Sequence, residues 1–238
     1  MIPFKDDNPT ERRPYITVAL IVINVLVFFY ELSRGPRLEG FLNEFGAIPA
    51  GIFSGTDLAV PPALPVPVTL LTSLFLHGGW MHLIGNMLYL WIFGNNIEDI
   101  LGRFRFILFY LAGGVVATLA QGITSPASTI PTIGASGAIS GVLGAYLIIF
   151  PRARVYTLLP IGFFLQVVVL PAYLVLGFWF VLQFFSGVFS LGSQHGGVAF
   201  FAHVGGFVFG MLLIKFVIKY PPRRSAVNHQ GYIYRLRR

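Results

Sequence analysis

Ser136, in Gly134-Ala135-Ser136-Gly137, and His203 stand alone in two of the most apolar stretches of the chain, and no acidic residue follows Asp99. A serine hydroxyl becomes a nucleophile when a histidine base takes its proton, and the usual third member is a carboxylate. Any such chemistry here must run on two residues. His82 and Asn86 form a second pair: four apart, they project from one helix face about one turn from each other. Donors so placed suit a developing oxyanion, a task usually met by backbone amides with Asn or His side chains. The backbone N–H of Ser136 would join them if a helix starts there, because first-turn amides have no intrahelical partner.

Each residue also has a plainer reading. Gly-Ala-Ser-Gly-Ala-Ile-Ser-Gly followed by Gly144 would serve as a small-residue packing face between membrane helices, and His82 with Asn86 could simply bond across helices. His203 resists such a reading, since an ionisable side chain inside a bilayer is costly and by default functional. His77 and His195 are assigned no chemistry.

Composition says what must position these groups. The chain has 238 residues, 55% hydrophobic and only 11% charged, with a mean hydropathy of +0.77. Soluble domains carry about 25% charged residues, so this is a polytopic membrane protein. Six apolar runs approach the length needed to cross a hydrocarbon core of about 30 Å: 15–32, 79–97, 104–122, 135–150, 160–189 and 197–218. The fourth is short and begins at the Gly-Ala-Ser-Gly turn. The fifth is overlong and contains Pro171, so a tilt, a kink or a start outside the hydrocarbon is expected.

With the N-terminus placed in the cytoplasm, every basic residue except Arg34 and Arg37 falls on that side, as the positive-inside rule asks. Both termini are then cytoplasmic. Residues 1–14 mix both charge signs and lead into a signal anchor rather than a cleaved signal peptide. The membrane domain covers 15–219, and 220–238 form a basic, flexible tail expected to meet anionic headgroups. The outer connection 33–67 is the longest loop, either partly embedded or a spacer. Parity then assembles the site. Segments two, four and six run in one direction, so His82, Asn86, Ser136 and His203 fall within about 10 Å of one depth below the outer surface. Gly206 and Gly210 would let segment six approach segment four closely enough for His203 to reach Ser136.

The set Gly134-Ala135-Ser136-Gly137, Ala202-His203 with Gly206 and Gly210, and His82-Leu83-Ile84-Gly85-Asn86 resembles the rhomboid intramembrane serine proteases. The likeness runs over about residues 15 to 218, with the three motifs in the family's order on its second, fourth and sixth helices. Gly94-Asn95-Asn96-Ile97-Glu98-Asp99 followed by Gly102-Arg103 is similar to the family's junction after its second helix. The resemblance implies an all-α, six-helix bundle in which Ser136 is the nucleophile, His203 the general base, and His82 and Asn86 the oxyanion donors. It further implies cleavage of transmembrane segments of other membrane proteins. Ser140 departs from the pattern, since some members place there an aromatic that stacks on the histidine.

Other classes fit less well. Lys5, Lys215 and Lys219 are the only lysines, so a Ser-Lys dyad has no internal lysine, and an aspartyl protease would need two buried acids. The histidines lack the acidic neighbours of a zinc protease motif, so no metal and no cofactor are expected, nor any nucleic-acid partner. The alternative is a non-catalytic rhomboid-like protein that binds transmembrane segments, and a small-solute transporter stands third. The compartment expected is a prokaryotic plasma membrane, with oligomeric state open. Loop 190–197, rich in glycine, is either a mobile lid over the site or a rigid turn.

Overall fold

The computed structural model describes residues 1–54, 62–161, 164–191, 198–220, 225–227 and 233–235. Four helices are long and apolar enough to cross a membrane: α1 (Tyr15–Ser33), α6 (Arg103–Thr124), α8 (Ala172–Ser190) and α9 (Phe200–Val217). Between α1 and α6 lie α2 (Leu38–Phe45), α3 (Val66–Thr72) and α4 (Trp80–Tyr89). Helix α4 runs through a π-helical turn, Leu90–Gly94, into α5 (Asn95–Leu101). The stretch Val66–Phe75 meets Trp80–Leu101 at a bend of 83°. Helix α7 (Ser136–Ile149) has 14 residues. At 1.5 Å per residue it spans about 21 Å, less than a full hydrocarbon core.

Helix α7 is the centre of the bundle. Residues Gly137 to Tyr146 are all buried, as expected of a helix that is apolar all round. Its neighbours are α6 and α9, and glycines set the α7 to α9 spacing. A Cβ on Gly206 would strike the Gly137 carbonyl, one on Gly210 the Gly141 carbonyl, and one on Gly144 the Phe207 carbonyl. Backbone meets backbone along three turns, the close approach that small residues allow in membranes.

The last acidic residues in the chain hold the start of α1. Glu98 accepts the Ile16 and Thr17 N–H groups at 3.0 and 2.8 Å and the Thr17 hydroxyl at 2.8 Å. Asp99 accepts the amides of Glu11 and Arg12. These first-turn donors have no partner within α1, so a carboxylate from α5 satisfies them.

The fifth expected segment, 160–189, is not a single helix. Its first part belongs to an antiparallel hairpin, β2 (Arg154–Ile161) and β3 (Phe164–Pro171), paired from Arg154 with Pro171 to Ile161 with Phe164. The run Phe-Leu-Gln-Val-Val-Val-Leu is rich in the β-branched and aromatic residues that suit a strand. Pro171, which cannot donate to the preceding turn of a helix, stands just before α8. The segment 1–14 is likewise part structured: β1 (Ile2–Asp6) adds a third strand, pairing Ile2 with Leu158 and Asp6 with Val155. The bundle is therefore helical, with one three-stranded sheet at its side.

Loop 33–67 is more than a spacer. It contains α2 and a π-helical turn, Ala50–Ser54. Ala47 bridges to Thr132, and Phe53 fills the space where a Cβ on Gly122 would sit. In the expected flexible tail, β4 (Ser225–Val227) pairs with β5 (Ile233–Arg235). The proposed lid, beyond Ser190 and Leu191, lies outside the described residues.

Candidate active site

Ser136 opens α7, following Gly134 whose φ of +118° is a conformation that only glycine adopts readily. The Gly134 amide donates to the Ser73 carbonyl at 2.8 Å, fixing the turn against the bent pair. His203 is the fourth residue of α9. Gln121 of α6 accepts the Phe201 and Ala202 amides at 3.0 and 3.3 Å, and so caps the helix that carries the imidazole. With the glycine contacts drawing α9 onto α7, His203 Nε2 lies 2.8 Å from Ser136 Oγ. The serine is partly exposed and the histidine 8% exposed.

The other imidazole nitrogen has a partner that the sequence reading missed. His203 Nδ1 lies 2.7 Å from Gln183 Oε1, on α8. An amide oxygen can only accept, so Nδ1 carries the proton and Nε2 keeps its lone pair toward the serine hydroxyl. Trp179, one turn before Gln183, presents its ring 5.8 Å from the imidazole, tilted by 38°. The aromatic neighbour that position 140 does not supply thus comes from α8, while Ser140 donates to the Ser136 carbonyl at 2.6 Å. Neither Gln183 nor Trp179 carried a sequence signal by itself. Both lie in a run of apolar residues whose inward face is set only by packing.

His82 stands over the Gly134 turn: a Cβ on Gly134 would come 2.6 Å from His82 Nε2 and 3.7 Å from Ser136 Oγ. His82 Nδ1 accepts the Gly78 amide at 3.4 Å, which leaves the proton on Nε2, the nitrogen facing the serine turn. Asn86 is 7% exposed, and its Nδ2 makes no hydrogen bond to a described residue. That is a buried donor held without a partner. Behind this pair, Glu31 of α1 is fully buried and its carboxylate accepts the His77 amide at 3.1 and 3.2 Å. It fixes the strap from which Gly78 reaches His82. The His77 ring lies edge-on to His82 at 5.1 Å. His195 lies outside the described residues.

The result is a multi-pass helical membrane protein in which a serine and a histidine from two central helices meet, with the His82 imidazole over the turn that precedes the serine. Comparison with known proteins places it more closely: the Rhomboid domain matches over residues 66–220, and the chain belongs to the rhomboid family. It is 34% identical over 191 residues to rhomboid protease GluP of Bacillus subtilis (strain 168), covering 80% of this chain and 34% of that protein. It is 32% identical over 145 residues to presenilin-associated rhomboid-like protein A, mitochondrial, of Danio rerio, covering 60% and 34% of the two chains. To rhomboid protein 1, mitochondrial, of Saccharomyces cerevisiae it is 30% identical over 144 residues, covering 59% and 38%. The chain thus spans about a third of the length of these relatives.

Proposed function

We propose that this protein is an intramembrane serine endopeptidase that hydrolyses peptide bonds in or near transmembrane segments of other membrane proteins. The observation that carries the reading is the 2.8 Å contact between His203 Nε2 and Ser136 Oγ in a chain with no acid beyond Asp99. His203 takes the hydroxyl proton as Oγ attacks a substrate carbonyl, and the carbonyl oxygen gains the charge. His82 Nε2–H, the Asn86 side-chain amide and the Ser136 backbone N–H receive that oxyanion. The imidazolium then protonates the departing amine, and the C–N bond breaks. A water, deprotonated by His203, hydrolyses the acyl-enzyme and restores Ser136. Gln183 does not touch the reacting atoms. It is a positioning residue, holding His203 in the tautomer that the first step requires.

A helical peptide bond is shielded by its own hydrogen bonds, so a substrate has to unwind locally to present its carbonyl to Ser136. Helix instability therefore governs selection more than a deep side-chain pocket does. The charge bias of the loops supports an orientation with both termini in the cytoplasm, which puts the site below the outer face. The test is cleavage of a tagged single-span substrate in proteoliposomes. The intact chain should yield a fragment cut within or beside the span, and Ser136→Ala should yield none. Equal cleavage by Ser136→Ala would refute the assignment.

A further inference from the structure

An antiparallel sheet with one face on a protein core normally turns polar residues outward, and the sheet β1-β2-β3 does the reverse. Val155 and Thr157 are fully buried and mark its inner face. The alternate positions face away from the bundle. Leu158 pairs with Ile2 on one side and Val167 on the other, Tyr156 with Lys5 and Val169, and Pro160 with Leu165. Of these, Leu165 is 69% exposed, Val167 57%, Ile2 52% and Val169 45%. Charged groups gather at the base alone, where Arg154 binds Asp7 at 2.6 Å and Lys5 lies over the Tyr156 ring.

The sheet also rises beside the membrane helices rather than away from them. Its base is fixed to the foot of α8, because Arg154 pairs with Pro171 and α8 begins at Ala172. Leu159 and Pro160, at the far end of β2, share a groove of about 460 Å³ with Leu174 and Phe178 of α8 and with Met1. Five residues of strand cover about 16 Å and six of helix about 9 Å, so β2 is inclined to α8 while its far end stays beside that helix. On the other flank, Asn8 is bound to Asn96 of α5, and β1 lies against α4 and its π-helical turn. Each outer strand of the sheet thus has a helix among its neighbours, β1 touching α4 and β3 touching α8. Across that groove α8 exposes Tyr173, Leu174, Phe178, Val181 and Phe185, the surface of a membrane-spanning helix.

We propose that β1-β2-β3 is embedded in the bilayer, its outer face of Ile2, Leu158, Leu165, Val167 and Val169 against the acyl chains of the leaflet opposite the Ser136 end, filling the gap between α4 and α8 at that depth. Lys5, Arg154 and Asp7 mark the headgroup level. Continuity with the lipid-facing side of α8 selects lipid over a soluble partner, and the inference does not depend on the peptidase reading.

The chain contains no cysteine, so single-cysteine variants report one site each. Val167→Cys, Val169→Cys, Arg152→Cys at the exposed base and Phe185→Cys on α8 would be labelled with bimane and reconstituted. Two sets of vesicles are needed: phosphatidylcholine brominated on its acyl chains, and plain lipid with iodide on both sides. The probes at 167 and 169 should lose at least half their emission to brominated lipid, like that at 185, and little to iodide, with the one at 152 behaving oppositely. Iodide quenching at 167 and 169 equal to that at 152 would place the face in water and overturn the proposal. Protection from both quenchers would mean a covering protein or second copy, and would overturn it equally. Two labelled strand positions guard against a single variant that misfolds.

Discussion

A general base without a carboxylate behind it has to be held in the right tautomer by some other acceptor, and among the described residues the amide oxygen of Gln183 lies at that distance. Replacing it tests positioning apart from folding. Gln183→Leu removes the acceptor and should lower kcat by about 10- to 100-fold with KM little changed. Gln183→Glu restores an acceptor and should recover most of the loss. A parallel fall in both variants, or a loss confined to KM, would contradict the assigned role. Gly134 is the other sensitive residue. An alanine there meets both a positive φ and the His82 imidazole at 2.6 Å. Gly134→Ala should therefore abolish cleavage while the bundle, checked by its detergent Tm, still folds.

At the scale of elements, the catalytic contact exists because α7 and α9 touch backbone to backbone. Gly210→Ala sets a methyl group on the Gly141 carbonyl, and overpacking of this kind costs about 1–3 kcal/mol. The expected outcome is a lower detergent Tm together with reduced cleavage, as the imidazole is drawn from the serine. An unchanged Tm would show that the helices separate freely at that point. How much of this was legible in the sequence depended on whether a signal lived in residue type or in packing. Ser136, His203, His82 and Asn86 stand out as polar residues in apolar runs, and the direction of alternate spans was enough to bring them to one depth. Gln183, Gln121 and Glu31 are also polar, but which way each faces is decided by neighbouring helices, and Trp179 is one aromatic among several. Strand β3 and the last residues of β2 fall within one long apolar segment because hydropathy does not distinguish an apolar helix from an apolar strand. The Val-Val-Val run and Pro171 were the local signs of the difference.

Across the whole molecule, the N-terminal strand ties the first residues of the chain to the end of its central helix. The Tyr146 hydroxyl donates to Asp6 at 2.6 Å. Burial pushes the Asp6 carboxyl up to about 6, with the neighbouring Asp7 charge adding to the rise and the Tyr146 bond opposing it. A carboxyl raised in the folded state keeps its proton there while the unfolded chain has already released it. Stability is then fully present below about pH 4 and is lost as pH rises to about 6, by up to about 3 kcal/mol. The detergent Tm of the intact protein should fall over that window relative to Asp6→Asn, whose profile should be flatter. Parallel profiles would show that Asp6 is solvated.

The central claim is that Ser136 is a hydroxyl activated by His203, and covalent capture tests it without knowledge of any substrate. The purified protein in detergent would be treated with a fluorophosphonate and the adduct located by peptide mass mapping. One adduct is expected, on Ser136, absent from both Ser136→Ala and His203→Ala. Labelling that persists in Ser136→Ala, or an intact protein that takes no label, would contradict it.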